Sequence, residues 1–191
     1  MTIFLILAPY GAFSLLMLVT SAAASVLTAA AICLMVIAFD VVRGRSIKIL
    51  GAGSAIVFAA IGGYLAFVDP SLSTSVVKFA VDTGIFLVSL LSIVIRRPFT
   101  LQYALEVVDA ETAKVPGFMR ANYIITWAWT AAALLMMIGN VAMIYVPNLP
   151  LWSGLLIAFA ARNSAVYFTK WYPQYRKAKY GAPPAGALPR T

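Results

Sequence analysis

The chain has 191 residues, 63% of them hydrophobic and only 10% charged, against roughly 45–50% apolar and about 25% charged residues in an ordinary soluble domain. With a mean hydropathy of +0.95, the excess apolar surface points to lipid as the solvent rather than water. A net charge of +8 would raise nucleic acid as a partner in a soluble protein, but here the basic residues lie between apolar runs, where membrane orientation and anionic lipid account for them.

The sequence contains no histidine, which removes the commonest general base and metal ligand. Its one cysteine, Cys33, lies inside an apolar run and reads as a small buried or lipid-facing hydrophobe.

Spanning a hydrocarbon core of roughly 30 Å takes about 20 apolar residues. Six stretches fit: Ile3–Val19, Ala22–Val42, Ile49–Val68, Val76–Ile95, Tyr123–Val146 and Leu151–Lys170. The first two are separated only by Thr20-Ser21, which predicts a tight hairpin or one broken helix. No basic residue precedes the first run, so it reads as a span rather than a signal peptide.

The connections sort by charge. Arg43, Arg45 and Lys48 follow the second run, and Arg96, Arg97, Lys114 and Arg120 follow the fourth. Lys170, Arg176, Lys177, Lys179 and Arg190 follow the sixth, while Asp69–Ser75 and Pro147–Pro150 carry no Lys or Arg. The positive-inside rule then places both termini in the cytoplasm.

Between the fourth and fifth spans, Pro98 stops one helix and Thr100 is positioned to cap another. Leu101, Ala104, Leu105 and Val108 recur at helical spacing, which predicts a short amphipathic helix at the cytoplasmic interface, ended by Pro116-Gly117. Trp171, Tyr172, Tyr175 and Tyr180 suit the headgroup region. Residues 1–180 thus read as one transmembrane domain, and Gly181–Thr191 as a flexible cytoplasmic tail.

Within the spans, Asp82 lies about 9 Å along the fourth helix and Arg162 about 16 Å along the sixth, at 1.5 Å per residue. Intramembrane charges are costly and face a partner or water. The expectation is an Asp82–Arg162 pair, with Lys78 one turn away as a competitor. Such a pair either serves an ion, proton or substrate site or simply holds the bundle together. Asn140 and Asn163 are expected to make interhelical hydrogen bonds.

Small residues recur every fourth position: Ser21, Ser25 and Ala29; Ala55, Ala59 and Gly63; Gly154 and Ala158. This spacing predicts close helix packing within the chain, with homodimerisation as the alternative. Two apparent motifs lack their context. Asp82-Thr83-Gly84 stands alone in an apolar run, whereas aspartic-protease chemistry needs two carboxylates sharing a proton. Gly51-Ala52-Gly53 is followed by Ile56 where a dinucleotide motif needs its third glycine. No catalytic residue, metal-ligand cluster or cofactor motif is expected.

Several of these features occur together in one known family. They are the opening Phe4-Leu5-Ile6-Leu7-Ala8-Pro9, then Arg96-Arg97-Pro98 leading into Leu101–Val108, then Arg120 before a helix with Trp127-Ala128-Trp129 and Gly139-Asn140. In this order, over most of residues 3–180, the chain resembles the bacterial inner-membrane intracellular septation protein A family. The resemblance implies a multi-pass inner-membrane protein with no enzymatic activity, linked to envelope maintenance and septation as a scaffold or interaction subunit. Its implied partners are membrane lipids and other membrane proteins or a second copy. Ala161-Arg162-Asn163-Ser164 departs from the family by placing a charge in the last span. That departure keeps a small-solute or ion transporter using Asp82 and Arg162 as the alternative.

Overall fold

A computed structural model describes residues 2–146 and 148–180; the expected tail, 181–191, lies outside them. The described chain is helical: α1 (Thr2–Leu16), α2 (Ala22–Val42), α3 (Ile49–Phe67), α4 (Thr74–Val94), α5 (Phe99–Ala104), α6 (Ala110–Lys114), α7 (Pro116–Tyr145) and α8 (Leu151–Tyr180). Four of these helices, α2, α3, α4 and the Gly117–Tyr145 part of α7, are long and apolar enough to cross a membrane. The other two expected spans fall short of that measure. α1 ends at Leu16, and Met17–Val19 form a turn, leaving 15 residues, or about 22 Å at the helical rise. α8 is 30 residues long, but Arg162, Lys170 and its basic last turn dilute its apolar character.

Successive long helices pack side by side, α1 on α2, α2 on α3, α3 on α4, then α4 on α7 and α7 on α8. The α1–α2 connection is a true hairpin. Ser21 caps α2 by accepting from the Ala24 amide, and Thr20 bonds back to the Leu16 carbonyl. One apolar core, built on Phe13, Val26, Ala29, Phe58, Leu65, Val77 and Val81, joins α1 to α4. A smaller one, Ala132, Ala161 and Ala165 with Trp129 and Met136, joins α7 to α8. Buried hydroxyls in the spans are satisfied by their own helix: Ser54 donates to the Leu50 carbonyl at 2.6 Å and Thr130 to the Thr126 carbonyl at 2.9 Å.

The small-residue faces behave differently from one another. Ser25 and Ala29 are buried in the α1–α2 contact, as expected. On α3, however, Ala55 is buried while Ala59 is exposed and Gly63 faces open space. The close approach lies on a neighbouring face. A Cβ on Gly53 would meet Val88 at 2.6 Å, and one on Gly84 would meet Val57 at 2.5 Å. Of the α2 set, Ser21 is exposed; on α3 the contact with α4 runs along Gly53, Val57 and their partners, which leaves the Ala59 and Gly63 face open, as the alternative of a second copy requires.

The expected amphipathic helix is divided into α5 and α6. Thr100 is not its cap; Pro98 occupies that position without a side-chain bond. The Thr100 hydroxyl instead donates to the Asn122 carbonyl at 2.8 Å and is hydrogen-bonded to Thr126. Phe99 is 4% exposed, so α5 packs into the bundle against α7 rather than lying free at an interface.

Candidate functional site

Asp82 of α4, Arg162 of α8 and Tyr10 of α1 face one chamber of about 60 Å³ in the middle of the bundle. Ile85, Trp129, Ala133 and Met136 supply its apolar wall, and Phe99 of α5 closes it on the side of the basic loops.

The Asp82 carboxylate accepts a 2.7 Å hydrogen bond from Asn140 Nδ2 of α7. That contact ties α4 to α7 and fixes the carboxylate. The Tyr10 hydroxyl is hydrogen-bonded to Ser54 of α3, whose own proton goes to the Leu50 carbonyl, so Tyr10 is the donor. The Arg162 guanidinium lies 6.0 Å from the Tyr10 ring centroid.

The structure thus brings Asp82 and Arg162 to the same chamber but not into the direct pair expected. Every ion pair within 4.0 Å among the described residues belongs to a different cluster. The direct partner of Asp82 is Asn140. Lys78, one turn away on α4, is partly buried and makes no such ion pair. Asn163 does not bond between helices either; it is exposed and donates to the Phe159 carbonyl of its own helix at 2.7 Å.

Two wider cavities flank the chamber. On the basic-loop side lies one of about 480 Å³ between α5, α7 and α8, sharing Leu7, Phe99 and Trp129 with the chamber. At the other end lies a cleft of about 470 Å³ between Ser14 of α1 and the first half of α8, sharing Arg162 with the chamber. Arg162 therefore stands between the cleft and the chamber.

A second polar cluster, invisible in the sequence pattern, sits at the basic end. Lys48 is only 4% exposed. Its ammonium donates to Asp40 at 2.7 Å and is paired with Glu106 at 2.8 Å. Arg45 approaches the same two carboxylates at 3.5 and 4.0 Å, and the Tyr103 ring lies 5.5 Å from the Lys48 nitrogen. Burial pulls the Lys48 pKa down, but the bonds to the two carboxylates and their charge outweigh it and hold the ammonium above its ordinary value of 10.5. Beside it, the backbone amide of Ile49 donates to Gln102 at 2.8 Å. The cluster and this bond fasten the α5 segment to the start of α3. The positive-inside reading used Lys48 and Arg45 only to place this connection in the cytoplasm. The available signal was acidic residues, Asp40 and Glu106, placed among basic ones at the same end.

Comparison with protein-family models, with curated proteins and with solved structures returns no match. Among the described residues, no His, Cys, Asp and Glu cluster fit to hold a metal ion is found.

Proposed function

We propose that the protein is a non-enzymatic membrane carrier for a charged solute, with α1 and α8 completing a six-span bundle around the Asp82–Arg162 chamber. One observation carries this reading. Arg162 borders both the chamber and the cleft, yet no described carboxylate lies within 4.0 Å of it. An arginine at the centre of a membrane helix costs about 2.5–3.5 kcal/mol. A purely structural role would be expected to offset that cost with an ion pair inside the protein. The charge of Asp82 across the chamber offsets part of it, and the open volume around the guanidinium leaves room for an anion or water to supply the rest. Cavities on either side of the chamber give a solute somewhere to come from and somewhere to go, and half-broken or short helices around a mid-depth site are common in carriers.

A scaffold in envelope maintenance is the second reading. It is favoured by the resemblance in residues 3–180 and by the open α3 face at Ala59 and Gly63, which leaves room for a neighbouring helix.

Native mass spectrometry of protein released gently from the membrane separates the two. The carrier reading expects a stoichiometric small ligand that disappears in Asp82→Asn and Arg162→Gln variants of unchanged helicity. A bare monomer or homodimer, or a foreign subunit indifferent to both substitutions, would favour the scaffold.

A further inference from the structure

Besides the two wide cavities, a narrow one of about 40 Å³ enters the bundle from the basic end, between α1, α2, α3 and α5. Its mouth belongs to the Lys48 cluster. Asp40, Arg45 and Lys48 line it, and the Arg45 side chain is 38% exposed, so the cavity reaches water there. Tyr10 and Ser54, hydrogen-bonded to each other, stand at its inner end, and Tyr10 also lines the Asp82–Arg162 chamber. Helical rise puts the two spaces in sequence. Ser54 lies about 9 Å beyond Lys48 along α3, while on the chamber wall Ser89 and Asp82 lie about 8 and 18 Å from the basic end of α4. A volume of this size takes water and little else, provided that roughly two to four polar groups receive each molecule. Those groups are present: the charges of the mouth, Tyr103 on the wall, and the Tyr10–Ser54 pair.

From this geometry we infer that the narrow cavity is a proton path, in which water and the Tyr10 hydroxyl carry protons from the basic end to Asp82, and that the proton is the carrier's coupling ion. The inference rests on the carrier reading and deepens it. A solute cannot use this route, and the wide cavity on the same side is closed from the chamber by Phe99. From the other end a proton would have to pass Arg162 in the cleft, where a fixed guanidinium repels it. At the basic mouth, Arg45 and Lys48 stand against Asp40 and Glu106, so no net charge bars entry. The transfer involves no redox step. Tyr10 turns its hydroxyl from Ser54, takes a proton on its oxygen from water on the outer side and releases its own to water in the chamber, neutral before and after. A lone pair of the Asp82 carboxylate takes the proton from that water and leaves a neutral acid that still accepts from Asn140. Around Asp82, α1 presents Tyr10, α8 Arg162 and α4 itself Lys78, while α7 brings the uncharged Asn140, and α3 and α5 the apolar Leu50 and Phe99. Since the carrier's ligand needs the Asp82 charge, the carboxylate holds either a proton or the solute, and the carrier exchanges one for the other.

Infrared spectroscopy reads the proton where it arrives. The full chain is reconstituted in oriented phosphatidylcholine vesicles, acid is released by a light flash at one face, and the carbonyl band of a protonated carboxylic acid is followed in time. The part of the band missing in Asp82→Asn belongs to Asp82. It is expected to form promptly when acid is released at the basic-loop face and with a delay from the opposite face. Tyr10→Phe keeps the ring that packs on Phe58 at 5.9 Å but removes the relay, and should slow the band on the order of a hundredfold, the low end of what a positioned proton-transfer group contributes. Its final extent should be unchanged. Gly51→Val covers the case in which Tyr10→Phe fails to fold. Gly51 lines the narrow cavity and a Cβ there meets only Ile37, at 3.9 Å, so the larger side chain constricts the path without touching Tyr10, and the band should again be slowed. A band that forms as fast in both variants as in the wild type would overturn the inference. So would one that follows acid at either face equally quickly, or no Asp82 band in acid that leaves the helices intact.

Failure of the proton path is distinguishable from failure of the carrier. A ligand lost in Asp82→Asn, in a protein whose Asp82 band is absent or indifferent to Tyr10, leaves the carrier and removes the proton. A band delivered through Tyr10 in a protein that holds no ligand leaves a proton-binding bundle and removes transport. Where both are found, the ligand should leave in acid as the Asp82 band appears, and a ligand that stays bound to the protonated protein would overturn the exchange.

Discussion

At the scale of single residues, Asp82 is held by a direct hydrogen bond from Asn140, while Arg162 acts on it through charge across the chamber rather than by direct contact. Asn140 is 8% exposed and is the only side chain that donates directly to Asp82 among the described residues. Replacing it with leucine leaves a carboxylate at membrane depth without its donor. A cost of about 1–3 kcal/mol follows, readable as a lowered unfolding midpoint in detergent, and Asp82→Asn in the same background should recover part of it. If Asn140→Leu were neutral, the carboxylate would have to be satisfied elsewhere.

Asp82, Arg162 and Asn140 were legible in the sequence because polar groups stand out in apolar runs. Their pairing was not. Helical rise gives depth along an axis, but the rotation of α7 and α8 decides which of three polar side chains meets Asp82, and that rotation is set by small-residue contacts such as Gly139 against Ile157. Tyr10 and Ser54 were overlooked for a related reason: a tyrosine and a serine in apolar helices look like ordinary core until the fold places them together.

At the scale of elements, the α3–α4 contact supplies a paired test. A methyl group on Gly84 would sit 2.5 Å from the stiff, β-branched Val57 side chain, whereas one on Gly63 would meet nothing. Gly84→Ala should therefore destabilise the bundle by about 1–3 kcal/mol. Gly63→Ala should be neutral or slightly stabilising, since glycine inside a helix costs roughly 0.5–1 kcal/mol relative to alanine. Equal effects in thermal unfolding would contradict the observed face, and loss of a dimer in Gly63→Ala would point to the scaffold.

The Lys48 cluster acts at the same scale by fastening α5, whose Phe99 closes the chamber, to the α2–α3 loop. Lys48→Met removes the ammonium between two carboxylates and should cost about 2–4 kcal/mol, because breaking a buried pair strands its partners. The folded-state value is raised above 10.5. The contribution is then complete below that ordinary value and is lost as pH climbs through the raised one. Wild-type stability measured against pH should carry this contribution unchanged from neutral to about pH 10 and lose it above; Lys48→Met should lack that alkaline step. The sequence showed basic residues at this end but not this network, since charge sorting counts Lys and Arg without asking which acids they meet.

At the scale of the whole molecule, the alternation of basic connections with ones that carry no Lys or Arg predicts two ends for the bundle. What composition could not fix was the status of α1 and α8, the shortest and the most polar of the long helices. They matter most to the account, since Tyr10 and Arg162 sit on them. Leu7 of α1 and Thr169 and Pro173 of α8 line one cavity at the basic end, so both helices reach that end. Reporter fusions at the two termini should therefore fall on the same side of the membrane. Opposite sides would mean an odd number of spans and a different placement of Arg162.

A carrier opens the Asp82–Arg162 chamber, closed by Phe99 on the basic-loop side, to each end in turn, and a single cysteine tests this directly. Cys33, 2% exposed, is replaced by alanine, and a cysteine is placed in the chamber wall by Met136→Cys. A small membrane-impermeant thiol reagent is then applied from either side of oriented vesicles. Modification from both sides is expected. A thiol that reacts from neither side would contradict it and leave Asp82, Asn140 and Arg162 as the polar framework of a sealed structural bundle.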